Sequence, residues 1–171
     1  MISRINSKPT STQSQRPIAP SAAPIARFPT ELENHMLVID EYLMMRVLAG
    51  ATPPQLSGET DFAIPAYRHY RLLQRVHAPG GGQLSLLLSA GDAEAIRHPD
   101  PQLVRVLDPR PLLDDAAQIA GRHAASGLLI AETLAAGVRS GRLAFGRQQN
   151  VGRRLAEVAR DLAVEVMVID G

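Results

Sequence analysis

Leu37-Val38-Ile39 is an apolar triplet that runs directly into Asp40 and then into a helix-forming stretch, Glu41 to Leu48. So apolar a strand does not suit a surface. It suits the interior of a parallel sheet, which is covered on both faces. In open parallel sheets, ligands bind beyond the carboxyl ends of the strands. Asp40 stands at such an end and is the first candidate for chemistry.

The chain beyond it alternates between strands and helices. Gly50 ends the first helix, and Pro53-Pro54 forbid its continuation. Residues 51 to 64 are expected to be a loop. A second helix is expected from Pro65 through AYRHYRLLQRVHA, with Tyr67, Tyr70, Leu73 and Val76 on its apolar face. His69 and His77 are too far apart to pair as metal ligands on adjacent turns. Gly80-Gly81-Gly82 follows a helix and lacks a Gly-Lys-Ser/Thr ending, so it is a turn rather than a phosphate loop. QLSLLLSAG is a further helix, and Asp92 caps a short one, DAEAIRHP. VRVLD is a second strand, ending at Asp108. PLLDDAAQIAGRHAA and SGLLIAETLAAGVRSG are amphipathic helices, the latter with Ser126 as its cap. RLAFG is a third strand, NVGRRLAEVARDLA a helix with Asn150 as N-cap, and VEVMVID a last strand. This order predicts an α/β fold, a parallel-stranded central sheet flanked by helices on both sides.

The expected domain spans residues 35–171. Residues 1–34 form a tail whose first 30 residues are rich in Ser, Thr, Pro and Ala and carry no acid. Such a segment buries too little apolar surface to offset its ordering entropy. Met36 directly precedes the first strand, which makes it an alternative start of translation. A length of 171 residues fits one domain. Cysteine is absent, which excludes disulfides, thiolate metal sites and a Cys nucleophile and agrees with a cytoplasmic setting. No apolar run approaches the roughly 20 residues of a membrane helix.

Two features carry possible chemistry. Asp40, Asp108 and Asp170 all follow strands, so the three carboxylates could share one sheet edge and bind Mg²⁺ or Mn²⁺. The competing reading is that each caps the helix that follows. The second feature is basic. Every basic residue but Lys8 is an arginine, and Arg139, Arg142, Arg147, Arg153 and Arg154 fall in one acid-free stretch. Arginine suits phosphate, although a GC-rich coding sequence would enrich it as well. Arg147, Gln149 and Asn150 lie between a strand and a helix, where free N–H groups favour an anion such as an RNA phosphate. Arg153 and Arg154 are equally readable as the solvated face of a helix. No aromatic residue interleaves with the stretch's arginines in a way that would support base stacking. The motifs of serine hydrolases, zinc proteases and dinucleotide-binding folds are missing.

From Met36 onward the chain resembles the PIN domain, the fold of many bacterial toxin–antitoxin ribonucleases. MLVIDEYLMMRVLAG is similar to that family's first strand and helix, where an Asp ends the strand. LLDDAAQIAGRHAASGLLIAETLAAG is similar to its paired central helices, and RLAFGRQQNVGRRLAEVARDLAVEV to its closing strand, loop, helix and strand. The resemblance implies a PIN-like three-layer α/β/α domain. It also implies three or four carboxylates holding one or two Mg²⁺ or Mn²⁺ ions, which activate water against an RNA phosphodiester. An antitoxin protein and a second copy of the chain are the implied protein partners.

Carried over by position, Asp40 matches the first acid. AYRHYRLLQRVHA has no counterpart of the acid expected in the second helix. Gly127 stands where the family has an Asp, with Glu132 further along the helix. The acid expected after RLAF is replaced by the Arg147–Asn150 loop. Asp40, Asp108 and Glu132 are therefore the available metal ligands, with Glu41 a further substitute. The expected function is a divergent PIN-like ribonuclease with an incomplete carboxylate set. The alternative is a PIN-like module that binds RNA or a partner protein without cutting. Three or more acidic side chains within about 5 Å of Asp40 would favour the nuclease, since charges act on one another over that range. An arginine filling the pocket would favour the binding module.

Overall fold

The computed structural model describes residues 36–78, 89–123 and 127–169. The expected tail, the helix expected from Gln83, Ser126 and Asp170 lie outside the described residues, except that Ser89 to Gly91 of the QLSLLLSAG stretch belong to the next helix. Five strands form one sheet: β1 (Leu37–Ile39), β2 (Phe62–Ile64), β3 (Val104–Val106), β4 (Arg142–Phe145) and β5 (Glu165–Val168). Their order is β3-β2-β1-β4-β5, and every neighbouring pair is parallel. The helices are α1 (Glu41–Leu48), α2 (Ala66–His77), α3 (Ala90–Arg97), α4 (Arg110–Arg122), α5 (Leu128–Ser140) and α6 (Arg153–Asp161).

Alternation along β1 explains the layers. Val38 points into a core with Leu112, Ala116 and Ile119 of α4, Leu134 and Ala135 of α5, and Leu155 and Val158 of α6. Leu37 and Ile39 point the other way, onto Leu43 and Met44 of α1, Leu72 of α2 and Ile96 of α3. The result is the expected sheet with helices on both sides. On the first face, Gly137 lets α5 approach closely. A Cβ there would lie 2.8 Å from Leu143 and 2.9 Å from Val164.

β2 departs from expectation, because residues 51–64 are not all loop. Phe62, Ala63 and Ile64 pair with β1 on one side and β3 on the other and are buried. The triplet is as long as β1, but it sits among Pro53-Pro54, Gly58 and Pro65, whose turn chemistry reads as loop. α2 keeps Leu73 and Val76 against the core as expected but is turned from the expected phase at its tyrosines. Arg68 and Leu72 are its buried residues, while Tyr67 and Tyr70 are 36% and 51% exposed. Ser89, rather than Asp92, is the N-cap of α3. Asp92 completes a capping box with it. α6 starts at Arg153 with Gly152 as N-cap, so Asn150 is not its cap.

The chain runs outward from β1 to β2 and β3, then returns to the other side of β1 as β4. Strand order therefore reverses between β1 and β4. Their carboxyl ends open a crevice of the kind in which ligands bind.

Candidate functional site

β1 delivers Asp40 to that crevice, and α1 begins at once. Asp40 is the N-cap of α1, its Oδ1 accepting from the Leu43 N–H at 2.9 Å. The same oxygen accepts from the Gly146 N–H at 3.2 Å, at the end of β4. Oδ2 accepts from Asn150 Nδ2 at 2.7 Å. The carboxylate is 1% exposed. It thus joins three segments: the start of α1, the end of β4 and the loop behind it.

That clasp sets the path of residues 146–150. Gly146 passes directly against Tyr42, where a Cβ would lie 2.1 Å from the ring atom Cδ1. Only glycine fits so close an approach. The next residue, Arg147, lays its guanidinium over the Tyr42 ring, 4.5 Å from the centroid. Such contacts favour the cation electrostatically while leaving its N–H groups free to donate elsewhere.

Two further carboxylates lie nearby. Glu41 Oε2 accepts from Arg68 Nη1 at 2.7 Å, and both side chains are buried. Arg68 Nε donates to Thr133 Oγ1 at 2.7 Å, and its guanidinium carbon sits 5.2 Å from the Phe145 ring centroid. Thr133 in turn donates to the Leu129 carbonyl. Glu132, one residue earlier on α5, accepts from the Tyr67 N–H at 3.0 Å. It thereby closes the N-terminus of α2, whose N-cap, Pro65, offers no side-chain bond. Burial pushes the Glu132 carboxyl above the usual glutamate range, against the lowering effect of the Tyr67 and Ala66 N–H groups and of Arg68.

A cavity of about 710 Å³ opens beside these groups. Arg71 and Arg75 of α2, Arg147, Gln149 and Asn150 form its polar wall, with Arg68 deeper in. Met45, Leu129, Ile130 and Leu155 supply an apolar side. The only acid in its lining is Glu41, already paired with Arg68. Arg71 and Arg75 make no hydrogen bond or ion pair with another described residue. The cavity therefore carries an excess of positive charge.

The expected site residues divide accordingly. Asp40, Arg147, Gln149 and Asn150 come together, and Glu132 lies at the N-terminus of α2. Asp108 does not join them. It follows β3, two strands from β1, or about 10 Å away at ordinary strand spacing. There its carboxylate pairs with Arg110 at 2.6 Å, which holds it below the usual aspartate range. The basic stretch also disperses. Arg139 pairs with Asp115, Arg142 with Glu59, and Arg153 and Arg154 with Glu157, leaving Arg147 as its contribution to the cavity. The remaining cations come from Arg68, Arg71 and Arg75. Their spacing placed them on one stripe of α2, a signal that the two tyrosines obscured. Among the described residues, no three His, Asp or Glu side chains are grouped so as to hold a metal ion. No helix of the described residues is long and apolar enough to cross a membrane.

An all-parallel α/β domain with a cationic cavity at its topological switch point is the class that fold and site define. Set beside protein-family models, curated proteins and solved structures, the chain matches none.

Proposed function

We propose that this chain is a phosphate-binding module that holds RNA by its backbone without cutting it. The supporting observation is the division of charge around the cavity. Arg71, Arg75 and Arg147 face it without a carboxylate partner, whereas each nearby carboxylate is engaged within the protein. Guanidinium groups suit phosphate oxygens geometrically as well as by charge.

The same division argues against the metal-dependent reading. Asp40 accepts from three donors, one of them an Asn side chain, and Glu41 faces Arg68. Arg68 thus fills the space beside Glu41 with a cation. A Mg²⁺ or Mn²⁺ ion, which needs several oxygen ligands near 2.0–2.1 Å, does not fit this donor set. The resemblance to PIN domains then concerns the scaffold and its RNA-facing crevice rather than its hydrolytic chemistry.

The test is charge reversal on the exposed stripe of α2. Arg71→Glu with Arg75→Glu should weaken binding of a labelled single-stranded RNA at least tenfold and leave thermal stability unchanged. The salt dependence should change too. Three phosphate contacts predict that log K falls with log salt at a slope of about −2, which should flatten in the variant. Unchanged affinity in the double variant would remove the basis of the reading.

A further inference from the structure

Of the expected core face of α2, Leu73 and Val76 pack against the core, but Tyr67 and Tyr70 do not, and where the two rings lie has a consequence. Tyr67, Tyr70 and Gln74 recur at helical spacing, as do Arg68, Arg71 and Arg75. At 100° per residue, Arg71 lies about 40° from Tyr67, and Arg75 about 40° beyond Arg71. One edge of the helix is therefore aromatic, and the adjoining edge is the cationic wall of the cavity. Tyr67 and Tyr70 stack on each other, ring centroids 6.0 Å apart and planes inclined by 25°, while staying 36% and 51% exposed. Gln74 donates to the Tyr70 hydroxyl at 3.1 Å and supports the outer ring. The Glu132 contact fixes the backbone of Tyr67.

We propose that Tyr67 and Tyr70 form a stacking shelf for unpaired bases, so that the RNA bound at this site is single-stranded. The inference rests on the phosphate-binding reading of the cavity and adds the exit path of the strand. Successive backbone phosphates occupy the Arg71–Arg75–Arg147 side, and the neighbouring nucleotide turns its base onto the tyrosine pair. An aromatic face beside a positively charged groove is the combination by which single strands are held without sequence readout. A duplex keeps its bases inside and offers that shelf nothing. An apolar protein surface would explain the exposed rings but not the uncompensated arginines beside them.

The chain has three tyrosines and no tryptophan, so its intrinsic fluorescence comes from Tyr42, Tyr67 and Tyr70. Full-length protein is titrated with a single-stranded oligoribonucleotide, with an abasic strand of equal length and with a duplex. Stacking is worth about 1–3 kcal/mol per base, or roughly 5- to 150-fold. The base-bearing strand should therefore bind at least fivefold tighter than the abasic one and quench tyrosine emission. Tyr67→Ala with Tyr70→Ala should bring both strands to the abasic affinity. Tyr67→Phe with Tyr70→Phe should keep the affinity and lose most of the quenching. Both rings are exposed, and circular dichroism of each variant reports that the fold persists. Equal affinity for base-bearing and abasic strands would overturn the shelf while leaving the phosphate site intact. Failure of the abasic strand to bind at all, with no effect of Arg71→Glu, would overturn the phosphate site itself. Duplex binding as tight as single-strand binding would overturn the inference of strandedness.

Discussion

Asp40 and Arg68 decide what the crevice can do. A carboxylate at the end of a central strand has open lone pairs only if its neighbours leave them open. Here Leu43, Gly146 and Asn150 take three of its roughly four lone-pair sites, and the group becomes a clasp that positions Arg147. Arg68 stands against Glu41 as an internal cation, with Thr133 and Phe145 completing its surroundings. A buried pair of this kind stabilises little by itself, yet it is costly to break because the survivor keeps an uncompensated charge. Arg68→Ala should lower unfolding free energy by about 3–5 kcal/mol in chemical denaturation. Replacing both partners, Glu41→Met with Arg68→Met, should recover most of that loss. A single variant costing under about 1 kcal/mol would show that the Glu41 charge is hydrated rather than buried.

At the scale of elements, α2 is the part that defines the site, and it was the part least legible in the sequence. β1, α1, β4 and β5 could be placed from apolar runs and their breakers, because burial on both faces or one leaves a pattern of apolar residues. Asp40 could be singled out for the same reason, and the Arg147–Asn150 loop from its charge. β2, no shorter than β1, is masked by the prolines and glycine around it, which read as loop. The phase of α2 was hidden because tyrosines resemble core residues by composition, whereas the residue actually buried, Arg68, owes its burial to Glu41 and Thr133, which are 27 and 65 residues away. Pairing at that range leaves no local signal. Glu132 is a similar case, holding the start of α2 across the same separation. Its carboxyl is raised by burial, so the protonated form is favoured in the folded state. The associated stability is fully present below the ordinary glutamate value and is lost as pH rises through the higher folded value. In Glu132→Gln that loss should disappear. Melting temperatures taken from pH 4 to pH 8 should fall relative to the variant as the wild-type group ionises. Parallel curves for the two proteins would show that Glu132 ionises alike in the folded and unfolded chain.

For the whole molecule, the strand order places one crevice at the reversal between β1 and β4. Everything that meets there is consistent with anion binding: cations from α2 and the β4–α6 loop, an apolar side from α1, α5 and α6, and carboxylates turned inward. Asp108, although it follows a strand of the same sheet, is carried to the edge by the same order. The net charge of the chain is only +1, so the proposed recognition of a polyanion rests on this local arrangement. The measurement that bears most directly on the central claim is an RNA retention and cleavage assay, in Mn²⁺ and in EDTA, with Asp40→Asn in parallel. Retention of intact RNA, equal in Mn²⁺ and EDTA, is the predicted result. Cleavage that requires Mn²⁺ and vanishes in Asp40→Asn would contradict it, because Asp40 would then be a metal ligand rather than a clasp.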